Sequence, residues 1–227
     1  MKALILFLLA VTTCSIAQVV TVSIDDGSDP GNPLNNKGSY SIYRKVDGTI
    51  LTTSEWYNLT VRNASSKAIV AFREKLDVRG GYTTYEINSD MLFGPKLLEP
   101  GAKLDYSTQP NSVSHQTSPP GAQFPTPTAE VTNRWVQFDD GTTFGDADYG
   151  KQLLDARRAA LQVFNQLNQS YLNGGAEAFV RQLQQASIQA NPYGRSLHDI
   201  QQQMGTDKAI EVLNMYLSAV ESHKNLF

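Results

Sequence analysis

The chain has 227 residues and a mass of 25.0 kDa, enough for one large domain or for a domain with a smaller companion. Apolar residues make up 41% and charged residues 18%, and there is a single cysteine, which excludes a disordered tail, a bundle of membrane helices and a disulfide scaffold. Lys and Arg total 19 against 22 Asp and Glu, so no basic footprint for nucleic acid or an anionic bilayer exists.

Met1-Lys2 precede an apolar run, Ala3 to Val11, and then Thr-Thr-Cys-Ser-Ile-Ala17. That order is a secretory signal peptide over 1–17, with small residues at the cleavage site and a mature chain from Gln18, which predicts a secreted or periplasmic protein. The run is about half the roughly 20 residues a membrane helix needs, and no later stretch reaches that length, so no transmembrane segment is expected. Val11-Thr-Thr-Cys14 loosely follows a lipobox, with Thr13 a poor match. A lipid anchor at Cys14 is therefore the alternative to its removal with the leader. After removal no thiol remains, and Cys-type metal sites and cysteine nucleophiles drop out. Without Lys2 the count is 18 positive against 22 negative, a formal charge of −4.

Val19 to Ile24 and Ser39 to Val46 are rich in β-branched and aromatic residues, separated by the turn-forming Asp25-Asp-Gly-Ser-Asp-Pro-Gly-Asn-Pro33. Asp47-Gly48 is a hairpin dipeptide leading into Thr49 to Thr53. Tyr57, Leu59 and Val61 alternate with polar neighbours up to Asn63-Ala-Ser-Ser66. Val70, Phe72, Leu76 and Val78 share one parity, and Glu74 falls among them as an exception that a bulge or an overhanging strand end would return to water. Gly80-Gly81 turns the chain into Tyr82 to Ile87, and a further strand follows Pro100-Gly101. Residues 107–129 hold five prolines and predict a long exposed loop. Glu130 to Phe138 and Thr142 to Phe144 flank Asp139-Asp140-Gly141, another hairpin signal.

The character changes near residue 147: nine of the ten prolines lie before it, and helical spacing follows. Leu153, Ala156, Ala160, Leu161, Phe164, Leu167 and Tyr171 predict a long amphipathic helix closed by Gly174-Gly175. A second helix is expected from Ala176 to about Ala190, stopping before Asn191-Pro192; Ser196 with Asp199 resembles a capping pair for a third, and Thr206 or Asp207 caps a fourth. The Gln-rich helical face reads as solvated surface or as a helix partner site.

Few constellations could carry chemistry. His115, His198 and His223 stand apart, without HExxH spacing, and no serine lies in a G-x-S-x-G setting. Phosphate and dinucleotide loops are missing. A buried Glu74 could act as a general acid, but the solvated reading is preferred. Asp25-Asp26-Gly27-Ser28-Asp29 and Asp139-Asp140-Gly141, followed by Asp146 and Asp148, offer oxygen ligands of the kind Ca²⁺ takes. Neither fits an EF-hand, and Asp-Gly is equally what a tight turn needs, so structural turns are expected. Trp56, Tyr57, Trp135 and Tyr40, Tyr43, Tyr82 and Tyr85 could form a platform for sugar rings, or simply core. Asn58, Asn63 and Asn168 open formal glycosylation sequons. No catalytic, cofactor-binding or metal-ligating residue is assigned, and no cofactor is expected.

Tyr57 to Phe72, followed by Leu98-Glu-Pro-Gly-Ala-Lys-Leu104, resembles the B–C hairpin and L-x-P-G turn of bacterial extracytoplasmic immunoglobulin-like domains. Val136 to Asp146 looks like the closing hairpin of secreted bacterial proteins with this sandwich and a helical tail. The resemblance implies a fold without an activity. The expected architecture is an antiparallel immunoglobulin-like β-sandwich over 19–146, then an α-helical region over 148–224. The expected function is a non-catalytic interaction or scaffold protein with an unknown protein or glycan partner; the alternative is a carbohydrate-binding or glycan-processing protein with its site in the sandwich loops.

Overall fold

A computed structural model describes residues 16–47, 50–81, 83–94, 97–117 and 123–226. The apolar leader and Cys14 fall outside the described residues, as does Tyr82. Nine strands come first: β1 (Ile16–Asp26), β2 (Leu34–Asp47), β3 (Ile50–Asn63), β4 (Ile69–Arg79), β5 (Tyr85–Asp90), β6 (Lys103–Ser107), β7 (Asn111–Thr117), β8 (Thr128–Phe138) and β9 (Thr143–Gly145). The helices are α1 (Ala147–Leu183), α2 (Ala186–Gln189), α3 (Pro192–Met204) and α4 (Thr206–Ser222), with a final 3₁₀ turn at Lys224–Leu226.

The strands form one sheet in the order β5-β4-β8-β1-β2-β3-β6, with β7 also on β3 and β9 on β8. Its neighbours are antiparallel except β1 and β8, which run parallel over Ile24–Asp26 and Ala129–Val131. The expected two-sheet antiparallel immunoglobulin-like sandwich is thereby corrected to a single mixed sheet curled into a half-barrel. Alternation reports that one side of each strand is buried, without saying what buries it. Here the curl does. Tyr57 of β3 meets Tyr85 of β5 edge-on at 4.9 Å, and Phe72 of β4 meets Tyr106 of β6 at 6.1 Å, so strands from opposite ends of the sheet share one core.

The segment read as a B–C hairpin is a crossing between limbs, since β3 and β4 do not pair. Asn63 makes the crossing: fully buried, it donates from Nδ2 to the carbonyls of Lys67 and Leu98, both at 2.8 Å, and accepts from Ser65 N. The Pro-rich loop read over 107–129 contains β7 and the start of β8. The β2–β3 hairpin expected at Asp47 is present, Asp47 pairing with Ile50.

Two irregularities decide where side chains point. Between Ile69 and Ala71, β4 carries one residue more than β8, and this extra residue, Val70, leaves the sheet core for the helices. Between Arg73 and Glu74 the extra residue is Arg134, on β8.

The helices build a second core around Phe164, Leu167, Phe179, Leu183, Leu197 and Leu213. Asp146 caps α1 through Asp148 N at 2.9 Å. The helix is broken at Gly174 and Gly175, where φ reaches +65° at Gly175, as the glycine pair predicted. The preceding helix stops at Gln189, before Asn191-Pro192 as expected, and the same pair also starts the next one: Asn191 caps α3 by accepting from Tyr193 N, and proline's fixed φ suits the first turn. Ser196 and Asp199 lie inside that helix and cap nothing. The segment after β5 ties the two cores together, because Phe93 packs edge-on against Phe164 at 5.4 Å, Tyr193 at 4.9 Å and Tyr216 at 5.6 Å. Among the described residues no helix is long and apolar enough to cross a membrane.

Candidate functional site

Glu74 is the first side chain to weigh. The expected rescue by a bulge fails because the bulge on β4, at Val70, precedes Phe72 and the extra residue beside Glu74 sits on β8, so β4 alternates from Phe72 onward and Glu74 points inward, fully buried. Burial pushes its carboxyl up to about 7; the Nδ2 of Asn36, donating to Oε1 at 2.7 Å, opposes the rise and the charge of Asp26 adds to it. Toward the other end of the inner face, Arg44, 4% exposed, donates to the carbonyls of Gly80 and Pro125 and stacks on Phe124 at 5.1 Å. Glu55 is also buried there and accepts from Tyr85 Oη at 3.5 Å. Burial first, and then Glu55, raise the Tyr40 phenol far above its ordinary range.

The acidic turns divide. Asp140 accepts from Lys67 Nζ at 2.6 Å and from Thr142, which hold its exposed carboxyl down at about 2, as a hairpin turn requires. Asp26 accepts from Ser28 N and Asn36 N, closing the turn before β2. His115 belongs to β7, His198 lies 3.8 Å from Asp199 on α3, and His223 contacts Ala219 O at the end of α4. The Asn63 sequon has its amide enclosed by the crossing turn.

The sugar-platform aromatics separate by parity. Tyr40, Tyr57 and Trp135 are core residues, and Trp135 lies under α1 at Gly150, where a Cβ would come within 2.6 Å of its indole nitrogen. Tyr43 and Trp56 point the other way. Adjacent strand residues face opposite sides, so Trp56 and Tyr57 could never both be core, a signal available from the sequence alone. The register pairs Tyr43 with Ser54 and Ser41 with Trp56, which makes the two aromatics diagonal neighbours on the outer face of β2 and β3. Thr21 of β1 joins them, its hydroxyl 2.9 Å from that of Ser41. On this face Val19 is 59% exposed and Ile50 49%. Helix–strand packing is concentrated between α1 and β8, away from it.

Among the concavities elsewhere, two border residues already described. A cleft of ≈ 260 Å³ between β4, β5 and α1 holds Arg73, Trp135 and Tyr149, but the Arg73 guanidinium is already engaged by Glu86 at 3.3 Å, Gln152 at 2.9 Å and the Tyr149 ring at 4.7 Å. An open groove of ≈ 580 Å³ beside the Gly174 break is lined by amides, including Asn165, Gln169 and Gln182, on the Gln-rich face. No protein family, curated protein or solved structure matches the chain.

Proposed function

We propose that this chain is an exported, non-catalytic interaction protein that engages its partner through the outer face of β1, β2 and β3. The observation that carries this reading is the diagonal placement of Tyr43 and Trp56 on a sheet face away from the main helix–strand packing, flanked by the exposed Val19 and Ile50. Aromatic rings on a rigid strand lose little conformational freedom on contact, and their polar edges tolerate water when no partner is bound. The leader-like Met1 to Ala17 supports export. The inner-face carboxylates Glu74 and Glu55 are enclosed among core side chains, which supports a structural rather than a catalytic part for them.

A second reading, glycan binding at the same face, is favoured by the hydroxyls of Thr21, Ser41 and Ser54 beside the two rings. The double variant Tyr43→Ser/Trp56→Ser tests both. Loss of affinity purification of envelope proteins supports a protein partner, and loss of glycan-array binding supports a sugar. Wild-type-like behaviour of the variant in both assays contradicts the assignment of this face.

A further inference from the structure

The polar atoms at the turn after β1 meet those of β2 and β8. Asp26 accepts from Asn36 N at 2.9 Å, Ser28 Oγ accepts from Asn133 N at 3.1 Å, and Asn32 Oδ1 accepts from Leu34 N at 3.1 Å and from Asn133 Nδ2. Beneath the turn lies Glu74, which receives Asn36 Nδ2 and faces Asn133 in the β4–β8 register. Three buried oxygens here have no donor: Glu74 Oε2, Asn36 Oδ1 and Asn133 Oδ1. A buried acceptor without a donor costs about 1–3 kcal/mol. Three in one neighbourhood, all acceptors, call for an electropositive guest rather than for another hydrogen-bond acceptor.

We propose that this cluster is a calcium site, with Glu74 Oε2, Asn36 Oδ1 and Asn133 Oδ1 as ligands from the strands and the Asp26 carboxylate as the ligand from the turn. Ca²⁺ takes six to eight oxygens and tolerates irregular geometry, whereas Mg²⁺ demands a near-ideal octahedron and Zn²⁺ prefers imidazole and thiolate, neither of which these residues offer. Two carboxylates balance the dication. Asp26 is exposed, so water reaches the turn and completes the shell. Among the described residues no three His, Cys, Asp or Glu side chains gather as a metal cluster. The amide oxygens therefore supply a large share of the coordination, which places the affinity in the 10⁻⁴–10⁻³ M range of extracellular modules.

The test is thermal unfolding and calorimetric titration of the chelator-stripped protein with CaCl₂, and with MgCl₂ in parallel. Ca²⁺ at 5 mM, about 5–50 times Kd, should raise Tm by about 2–9 °C, with a smaller response to Mg²⁺. Glu74→Gln and Asp26→Asn should abolish the rise, while Asp140→Asn, in the other acidic turn, should keep it. Asp26 is exposed, so its variant tests the site even if Glu74→Gln does not fold. No rise in the wild type at 5 mM Ca²⁺, or a rise that survives in Asp26→Asn, overturns the assignment.

Discussion

Arg157 and Asp90 join the helices to the sheet through a two-point ion pair, Nε to Oδ2 at 3.0 Å and Nη2 to Oδ1 at 2.8 Å. Arg157 is 1% exposed, and its remaining nitrogen donates to Gln137 Oε1 and to the carbonyl of Leu226, so one guanidinium ties α1 to β5, β8 and the final 3₁₀ turn. Removing one partner of such a pair leaves an uncompensated buried charge. Asp90→Ala should cost about 3–5 kcal/mol in urea unfolding. Arg157→Lys should also fall well short of wild type, because an ammonium lacks the planar fork. A midpoint unchanged in Asp90→Ala would refute the assigned role.

Phe93 couples the two cores. Phe93→Ala should cost about 3–5 kcal/mol, and it should also split the unfolding transition. Trp56 and Trp135 both lie in the sheet, so their fluorescence follows the half-barrel while far-ultraviolet dichroism follows the helices. The two signals should coincide in the wild type and separate in the variant. Separation already in the wild type would show that Phe93 does not unite the regions.

Gly150 gives a prediction in which two effects oppose. Glycine in a helix interior is about 1 kcal/mol worse than alanine, so propensity alone makes Gly150→Ala stabilising. The added Cβ, however, would meet the indole of Trp135 at 2.6 Å, and Trp135 is itself packed under the helix. Overpacking of this kind costs about 1–3 kcal/mol. The variant should therefore be destabilised, and a raised Tm would contradict the packing described.

Glu74 sets a pH dependence whose sign can be worked out. Its carboxyl titrates at about 7 in the folded protein, against an ordinary 4.5. Between those values the native state binds more protons than the unfolded chain, so stability falls as pH rises through that window and levels off above it. The loss amounts to up to about 3 kcal/mol. In chelator, Glu74→Gln should flatten this part of the profile relative to wild type. A wild-type profile that stays flat or climbs from pH 5 to 7, with Glu74→Gln matching it, would rule out a raised carboxyl.

Local features of the chain were legible wherever their cause was local. The Asp47 hairpin, the alternation of β3 and of β4 from Phe72 onward, the break at Gly174-Gly175 and the stripe of Ala160, Phe164 and Leu167 all follow from neighbouring residues. The closure of the sheet was not legible. The parallel contact of Ile24 with Ala129 and the meeting of Tyr57 with Tyr85 depend on residues far apart in the chain, and alternation looks the same in a sandwich and in a half-barrel. The burial of Glu74 was not legible for a related reason: the bulge on β4 falls at Val70, ahead of it, and the irregularity beside it lies on the partner strand at Arg134, which β4 alone cannot reveal. Arg157 stands between the apolar positions of an ordinary helical stripe, and its burial depends on Asp90 and Gln137, which local periodicity does not bring near.

The most direct test of the interaction surface is site-specific photocrosslinking in the cells that make the protein, with a benzophenone side chain placed at Trp56 and, as a control, at the 66% exposed Leu172 on the helical side. The outer face of the sheet predicts a discrete adduct from position 56 and none from position 172. Adducts from 172 alone, or from neither position, would contradict it.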